Sequence, residues 1–271
     1  MNNSNISPSF GLSKAIFYSI VAVIIMQLVG GVIQLPAIYD PWLFNIVLPL
    51  GFLIGIVAAI GTLIALVDYN TKGIIRDITQ KFSISTLILS LLIWIGFLPL
   101  CEYLTNLIPV EGPLKGLYKE FETSFEMLLN YKIAGFIMVC IFAPIFEEIL
   151  FRGIIFKGMI NHNVNPVIAI IAGGLIFGLA HLNPWQFVGA GFLGAIFCFI
   201  YYRTKSLLLP IILHAANNTL SYTLMLNQNS MDENVFDPTD TTSIIVFTIF
   251  AIALSFILYR ITPKKLMQTW N

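Results

Sequence analysis

Two adjacent carboxylates and an arginine interrupt a long apolar run near the middle of the chain. Glu147 and Glu148 are followed by Arg152 in the stretch PIFEEILFRG. An Asp, Lys or Arg at the centre of a membrane helix costs about 2.5 to 3.5 kcal/mol, so charged side chains there normally face a cavity or a partner. Glu148 and Arg152 are one helical turn apart, which predicts an ion pair. Glu147 points about 100° away and needs other partners.

Two of the three histidines also lie in apolar runs. His181 follows Phe177 by four residues and Asn218 follows His214 by four residues, so each pair shares one face of a predicted helix. An ionisable group inside a membrane is a functional candidate by default, although a structural histidine is the alternative. The third histidine, His162, is predicted to be solvated in a short loop.

Glu147, His214 and His181 can contact one substrate only if their side chains lie at similar depths in the membrane. Counted from the predicted cytoplasmic helix ends at about 1.5 Å per residue, Glu147 lies about 15 Å deep, His214 about 13 Å and His181 about 24 Å. Helix tilt, or a fifth span that begins earlier, would bring His181 level with the other two. For Asn217 we predict a hydrogen bond to a neighbouring helix rather than a chemical role.

This set of side chains suits the hydrolysis of a peptide bond. A buried glutamate such as Glu147, without its own cation, is a suitable general base for water, and a neighbouring histidine can hold the same water. His214 and Asn218 could donate to the oxyanion of the tetrahedral intermediate. Alternatively, Glu147, His181 and His214 could hold a divalent ion such as zinc. Glu148 would then be the base, and the residues alone do not choose between the two mechanisms.

The motifs EExxxR, FxxxH and HxxxN, in this order and on separate predicted spans, resemble those of the CAAX protease and bacteriocin-processing membrane peptidases, which are type II CAAX prenyl endopeptidase-like. The resemblance covers about Ile133 to Leu226, so residues 133–226 are the expected motif-bearing catalytic core of a single membrane domain, 1–271. It implies an intramembrane endopeptidase with six site residues, namely Glu147, Glu148, Arg152, His181, His214 and Asn218.

The resemblance also implies a role for each of these residues. Glu147 with His181 would activate water, His214 and Asn218 would stabilise the oxyanion, and Glu148 with Arg152 would organise the site. The implied substrate is a membrane-associated or lipidated protein or peptide. A short chain without extensions is more similar to bacterial members linked to peptide maturation or bacteriocin self-immunity.

Apolar runs long enough to cross a bilayer, about 20 residues each, recur along the chain. They predict an all-α, polytopic integral membrane bundle with about eight transmembrane helices. The expected spans are Ala15–Leu35, Leu43–Val67, Ser83–Leu100, Ile133–Phe156, Asn165–Leu182, Phe187–Tyr202, Leu207–Met225 and Ser243–Ile261. Between the third and fourth spans, the segment from Leu114 to Leu128 is predicted to be an interfacial amphipathic helix, with a packed loop as the alternative.

The connections between spans carry charge unevenly, and cytoplasmic loops are richer in Lys and Arg. One set of connections holds most of the bases: Lys14, Lys72, Arg76, Lys81, Lys157, Arg203, Lys205, Arg260, Lys264 and Lys265. The opposite set is acidic: Asp40, Glu102, Glu111, Glu120, Glu122, Glu126, Asp232, Glu233, Asp237 and Asp240. We therefore expect a multi-pass protein of the cell membrane with both termini in the cytoplasm, and no cleaved signal peptide.

Composition excludes several classes of function. Hydrophobic residues make up 58% of the chain and charged residues only 10%, against roughly 25% in soluble domains, so lipid is the expected solvent. The formal net charge of +0 gives no field to bind nucleic acid. The three cysteines form no CxxC pair, which predicts no disulfide. A non-catalytic immunity or scaffold protein and an ion-coupled transporter are the alternatives to a peptidase.

Overall fold

The computed structural model describes residues 7–228 and 235–262. These residues form helices and connecting turns, and no strand occurs among them. We number the helices in chain order: α1 Leu12–Gln34, α2 Phe44–Leu66, α3 Lys72–Ile78, α4 Ile84–Asn106, α5 Lys115–Asn130, α6 Lys132–Asn161, α7 Pro166–Leu179, α8 Pro184–Thr204, α9 Leu208–Gln228 and α10 Thr241–Ile261. Asp232, Glu233, Lys264 and Lys265 lie outside the described residues.

The fold class predicted from the sequence is confirmed, because a helix occupies the position of each predicted span. Six of the described helices, α1, α2, α4, α6, α8 and α10, are long and apolar enough to cross a membrane. The fifth predicted span, α7, is a shorter apolar helix, and α9 is as long as the others but carries more polar groups. The chain is a polytopic helical membrane protein.

Helices α1 and α10 present large apolar side chains outward. Leu28 and Val32 of α1 are each 65% exposed, and Ile249 of α10 is 62% exposed. Such surfaces are unfavourable in water but are solvated by lipid chains, which need no polar covering. These two helices therefore lie at the periphery, whereas the polar residues of interest lie on α6, α7 and α9.

Helix α6 is not the regular α-helix that the sequence suggested for the fourth span. It contains two π-helical segments, Ile137–Phe142 and Ile149–Phe156, on either side of the α-helical turn that carries the paired glutamates. Pro144 explains the first irregularity, because its ring would clash with the carbonyl oxygen four residues earlier in an α-helix and it has no N–H to donate. Such wide turns inside α-helices occur frequently at functional sites.

Helices α7 and α8 approach closely through small residues. A Cβ atom added to Gly174 would lie 2.6 Å from the carbonyl oxygen of Gly191, so no larger residue fits there without movement. Close backbone approach of this kind is common between membrane helices. The turn between them contains Leu182 at φ 58°, and Asn183 caps α8 by accepting the N–H of Gln186 at 2.8 Å. Helix α7 therefore ends three residues earlier than predicted.

The end of the bundle that carries most of the bases contains a buried ion pair. Lys157 is fully buried and donates to Asp77 Oδ2 at 2.5 Å, and Tyr201 donates to the same oxygen at 2.6 Å. Lys157 is thus not the loop cation that the sequence suggested, because α3 folds back to supply its counter-ion. Burial, followed by the nearby charge of Arg76, lowers the pKa of Lys205 at this end to about 8.

The predicted amphipathic helix is present as α5. Among its residues, all of which are described, none is buried. Tyr118 and Phe121 pack on Trp185 of α8 with ring centroids 4.9 and 5.7 Å apart. Helix α5 therefore lies across the turn between α7 and α8, at the end of the bundle opposite the buried Lys157.

Candidate active site

The centre of the site is a buried carboxylate with two basic partners. Glu148 Oε1 accepts from Arg152 Nη1 at 2.8 Å and lies 2.9 Å from Nδ1 of His214. Glu148 and Arg152 are fully buried, and His214 is 6% exposed. The ion pair predicted from the four-residue spacing is confirmed, and His214 joins it from α9, 66 residues further along the chain.

Arg152 has partners beyond the carboxylate. Its Nη2 donates to the carbonyl oxygen of Gly194 on α8 at 3.1 Å, and its guanidinium lies 4.2 Å from the ring centroid of Phe177 and 5.7 Å from that of Phe197. Desolvated cation–π contacts of this type stabilise by about 2 kcal/mol or more. The arginine therefore connects α6 to both α7 and α8. Glu148 Oε2 and Arg152 Nε make no hydrogen bond to any described residue.

Phe177 connects the two histidines. Its ring centroid lies 5.0 Å from that of His181 and 5.7 Å from that of His214, both edge to face. The centroids of the two histidine rings are therefore at most about 11 Å apart. The depth difference expected from helical rise is reduced because His181 lies in the turn after α7, where its ring folds back so that Nδ1 is 2.9 Å from the Phe177 carbonyl oxygen.

These contacts indicate how the protons on both histidines are arranged. A neutral His181 whose Nδ1–H donates to a carbonyl presents Nε2 as an acceptor. For His214, the carboxylate of Glu148 holds the proton on Nδ1, and its Nε2 makes no hydrogen bond to any described residue. A carboxylate or carbonyl behind an imidazole fixes its orientation in this way at many catalytic sites. The tautomers are inferred from these partners.

Glu147 differs from its neighbour in having no fixed partner. It is half-buried, and it makes no hydrogen bond or ion pair within residues 7–228 and 235–262. Its azimuth on α6 differs by about 100° from that of Glu148, as predicted, so the cation of Arg152 is directed at the other carboxylate. Glu147 is therefore the carboxylate of the pair that remains available for an external group such as water.

Asn218 has a structural partner that the sequence did not predict. Its Nδ2 donates to the carbonyl oxygen of Val139 at 2.8 Å. In a π-helix, each carbonyl oxygen accepts the N–H group of the residue five positions later. For Val139 that residue is Pro144, which has no N–H group. Asn218 therefore satisfies a carbonyl that the proline leaves unpaired, and the second of its two amide N–H groups makes no hydrogen bond to a described residue.

Tyr222 extends the same face of α9, and it is not among the site residues predicted from the sequence. Its hydroxyl donates to the carbonyl oxygens of Lys132 at 2.8 Å and Leu128 at 3.1 Å, where α5 meets α6. His214, Asn218 and Tyr222 recur every four residues, so they form one polar stripe on α9. The signal was present in the sequence as a third polar residue at the same spacing.

The remaining sequence-based assignments concern single residues. Asn217 accepts from Nε1 of Trp94 on α4 at 3.2 Å, so the predicted hydrogen bond to a neighbouring helix is confirmed. His162 is exposed, as predicted for a loop residue. Cys101, Cys140 and Cys198 are all free and buried, so no disulfide links them.

The donor set for a metal ion is incomplete in this arrangement. Among the described residues, no group of three or more His, Cys, Asp or Glu side chains is close enough to hold a metal ion. Glu147, His181 and His214, the set considered from the sequence, therefore do not form such a group in this structure.

The part of the chain that contains this site is similar to a known protein family. Residues 129–220 match the family model described as Type II CAAX prenyl endopeptidase Rce1-like. This segment contains all six site residues named above. The resemblance stated from the three motifs is therefore confirmed over these residues.

Two curated relatives match parts of the chain. "Membrane-embedded CAAX protease MroQ" of Staphylococcus aureus (strain USA300) is 38% identical over 99 residues, which is 34% of this chain and 40% of that protein. "Putative membrane peptidase YdiL" of Bacillus subtilis (strain 168) is 30% identical over 119 residues, which is 43% of this chain and 48% of that protein. The alignments thus span less than half of each relative. No solved structure matches the chain.

Proposed function

We propose that this protein is an intramembrane endopeptidase that hydrolyses a peptide bond of a membrane-associated or lipidated protein or peptide. The observation that carries the proposal is the contact of Phe177 with His181, His214 and Arg152. Residues of three motifs on three helices thereby surround one ring, inside a segment similar to membrane proteases. Packing alone does not require that three costly polar groups converge.

In the proposed reaction, Glu147 is the general base and His181 Nε2 accepts a hydrogen bond from the same water. The water oxygen bonds to the peptide carbonyl carbon as its proton moves to Glu147. The C–N bond then breaks, and the amine leaves with the proton that Glu147 received. The free glutamate, which has no competing partner among the described residues, suits both proton transfers.

The oxyanion of the tetrahedral intermediate needs donors that are already oriented. The second amide N–H of Asn218 is one proposed donor. Nε2 of His214 is the other, as an N–H donor when the ring carries a proton on both nitrogens, with Nδ1 2.9 Å from Glu148 Oε1. Glu148 and Arg152 act in this proposal by fixing the ring of His214 and balancing its charge.

The test is peptide hydrolysis by the purified full-length chain in detergent. The assay uses a panel of lipidated and unlipidated fluorogenic peptides, with the native chain, Glu147→Gln and a matched control, Glu122→Gln, which alters an exposed glutamate of α5. We expect Glu147→Gln to lower kcat at least 100-fold, in line with the usual contribution of a general base, and Glu122→Gln to leave it unchanged. Equal rates for all three proteins would contradict the proposal.

Two additions to the same assay separate the alternatives. A chelator that abolishes hydrolysis, with recovery on adding zinc, would assign a metal-dependent mechanism instead of the glutamate-type one. A scaffold or immunity function would be indicated by two results together. No peptide in the panel would be cleaved, and cells that express Glu147→Gln would show the same phenotype as cells that express the native chain. Proton flux in proteoliposomes would indicate an ion-coupled transporter.

A further inference from the structure

The turn between α7 and α8 carries His181, and its backbone hydrogen bonds differ from those of a regular helix end. His181 N–H donates to the carbonyl oxygen of Gly178, three residues earlier, at 3.1 Å. In an α-helix this N–H would donate to the carbonyl oxygen of Phe177, four residues earlier, so the tighter turn leaves that oxygen for another donor. The imidazole of His181 takes this place, with Nδ1 2.9 Å from the Phe177 oxygen. The ring is therefore held by the last turn of its own helix.

The carbonyl oxygen of His181 is held by the next polar residue of the turn. The last carbonyl oxygens of a helix have no donor within the helix and need one from elsewhere. Asn183 Nδ2 donates to the His181 carbonyl oxygen at 3.1 Å and also to Oε1 of Gln186. Asn183 Oδ1 accepts the backbone N–H of Gln186 at 2.8 Å. Both N–H groups and the oxygen of the Asn183 amide therefore have partners.

These partners permit only one orientation of the Asn183 amide. A backbone N–H can only donate and a backbone carbonyl can only accept, so the amide oxygen must face Gln186 N–H and the amide nitrogen must face the His181 carbonyl. The opposite orientation would bring two oxygens together at one end and two N–H groups together at the other. The amide of Asn183 thus connects the first turn of α8 to the residue that carries the imidazole.

Leu182 has a backbone conformation that this arrangement requires. Its φ of 58° lies in the left-handed region, which residues other than glycine rarely adopt. Its side chain is 67% exposed, so the packing of that side chain within the bundle does not impose the conformation. Backbone strain of this kind persists only where surrounding contacts hold it, and it is concentrated at functional sites. The contacts on either side of Leu182 are the hydrogen bonds of His181 and Asn183.

We infer that Asn183 is a positioning residue for His181 and acts through the His181 carbonyl oxygen. The inference rests on the proposed function, in which Nε2 of His181 accepts a hydrogen bond from the reacting water. Asn183 contacts neither the imidazole nor that water. It fixes the direction in which the chain leaves residue 181, and a displacement of about 1 Å in a reacting group can cost about 100-fold in rate.

Two isosteric substitutions separate this role from helix capping. Asn183→Asp keeps the oxygen that accepts Gln186 N–H, and Asp caps a helix as well as Asn does, but the carboxylate has no N–H for the His181 carbonyl oxygen. Gln186→Glu adds the same negative charge to the first turn of α8 and still accepts from Asn183. It is therefore the matched control for charge.

Hydrolysis of the peptides cleaved by the native chain in detergent is the first measurement. We expect Asn183→Asp to lower kcat about 10-fold or more with KM within about 2-fold, and Gln186→Glu to keep both values within about 2-fold. Equal losses in the two variants would assign the effect to charge and overturn the inference, as would native kcat in Asn183→Asp. In either case the loss of turnover in Glu147→Gln would leave the proposed function standing.

Nuclear magnetic resonance of isotope-labelled histidine tests the inference without hydrolysis. The chain has three histidines, and His181→Gln identifies the ring signals of His181. At a pH where this ring is neutral, we expect the Nδ1–H tautomer in the native chain and in Gln186→Glu, and a mixture of tautomers in Asn183→Asp. The native pattern in Asn183→Asp would overturn the inference.

Two further results have defined meanings. If Asn183→Asp does not fold, Asn183→Ser replaces it, because Ser also caps helices but has a shorter, uncharged side chain without an amide donor. We expect the same loss of kcat and the same mixture of tautomers in this variant, and native behaviour would overturn the inference. Absence of hydrolysis by the native chain would overturn the proposed function and, with it, the catalytic role inferred for Asn183.

Discussion

The partners of single residues decide which carboxylate can do chemistry. Glu148 is held by Arg152 and His214, whereas Glu147 has no partner among the described residues. The ion pair followed from the sequence because a four-residue spacing on one helix fixes geometry locally. The contact with His214 did not follow, because the mutual rotation of α6 and α9 depends on the packing of the whole bundle.

Removing one member of the buried ion pair tests how the site is stabilised. Arg152→Met leaves Glu148 buried without its cation, and we expect the free energy of unfolding to fall by about 3 to 5 kcal/mol. The double variant Glu148→Gln with Arg152→Met removes both charges and should lose less than the single variant. Reversible unfolding in mixed micelles measures both values. A double variant that is less stable than Arg152→Met would contradict the interpretation.

At the scale of helices, the irregular course of α6 controls the direction of the glutamates. A change from a π-helical to an α-helical turn before Pro144 would rotate the following residues about the helix axis. The α9 stripe opposes such a change by holding the carbonyl oxygens of Val139 and Lys132. Sequence periodicity predicted α6 and α9 as helices. Pro144 accounts for the first π-helical segment of α6, whereas nothing in the apolar pattern indicates the second, Ile149–Phe156.

Tyr222→Phe tests this positioning role without changing ring packing. It removes a hydroxyl that is hydrogen-bonded to two partly buried carbonyl oxygens, so we expect the free energy of unfolding to fall by about 0.5 to 1.5 kcal/mol. We also expect kcat to fall about 10-fold with KM unchanged, because a difference of about 1.4 kcal/mol in the barrier corresponds to that factor. Unfolding in micelles and initial hydrolysis rates measure these effects.

Tyr18→Phe is the matched control for this variant. Tyr18 is half-buried on α1, packs on Phe10 with ring centroids 5.1 Å apart, and its hydroxyl makes no hydrogen bond to a described residue. The control should stay within about 0.5 kcal/mol of the native chain and keep its kcat. Similar losses in both variants would mean that the hydroxyl of Tyr222 has no special role.

At the scale of the whole molecule, one end contains a buried ion pair and the other is covered by an amphipathic helix. The sequence predicted α5 and the unequal distribution of bases. It did not predict that Lys157 is buried against Asp77, because α3 is a seven-residue helix in a polar connection whose docking no periodicity reveals. Composition thus predicted the membrane environment, and tertiary contacts determined where the buried ion pair of Lys157 and Asp77 lies.

The native cysteines report on the integrity of the whole bundle. Cys101 contacts the Gly189 carbonyl oxygen, and Cys198 is fully buried behind α7. We expect maleimide to modify these thiols, together with Cys140, at least 100-fold more slowly in the native protein in mild detergent than in SDS. Mass spectrometry of the time course measures this ratio, and Ser124→Cys provides the rapidly modified reference. Fast modification of all three native thiols would contradict the packing described here.

The brevity of α7 has a further consequence for the surrounding lipid. Its 14 residues span about 21 Å, which is less than the hydrocarbon thickness of a bilayer, about 30 Å. Hydrophobic mismatch of this kind is relieved by local thinning of the bilayer. Headgroups and water would then dip towards His181, so a polar peptide backbone could approach the site without first crossing a full depth of acyl chains.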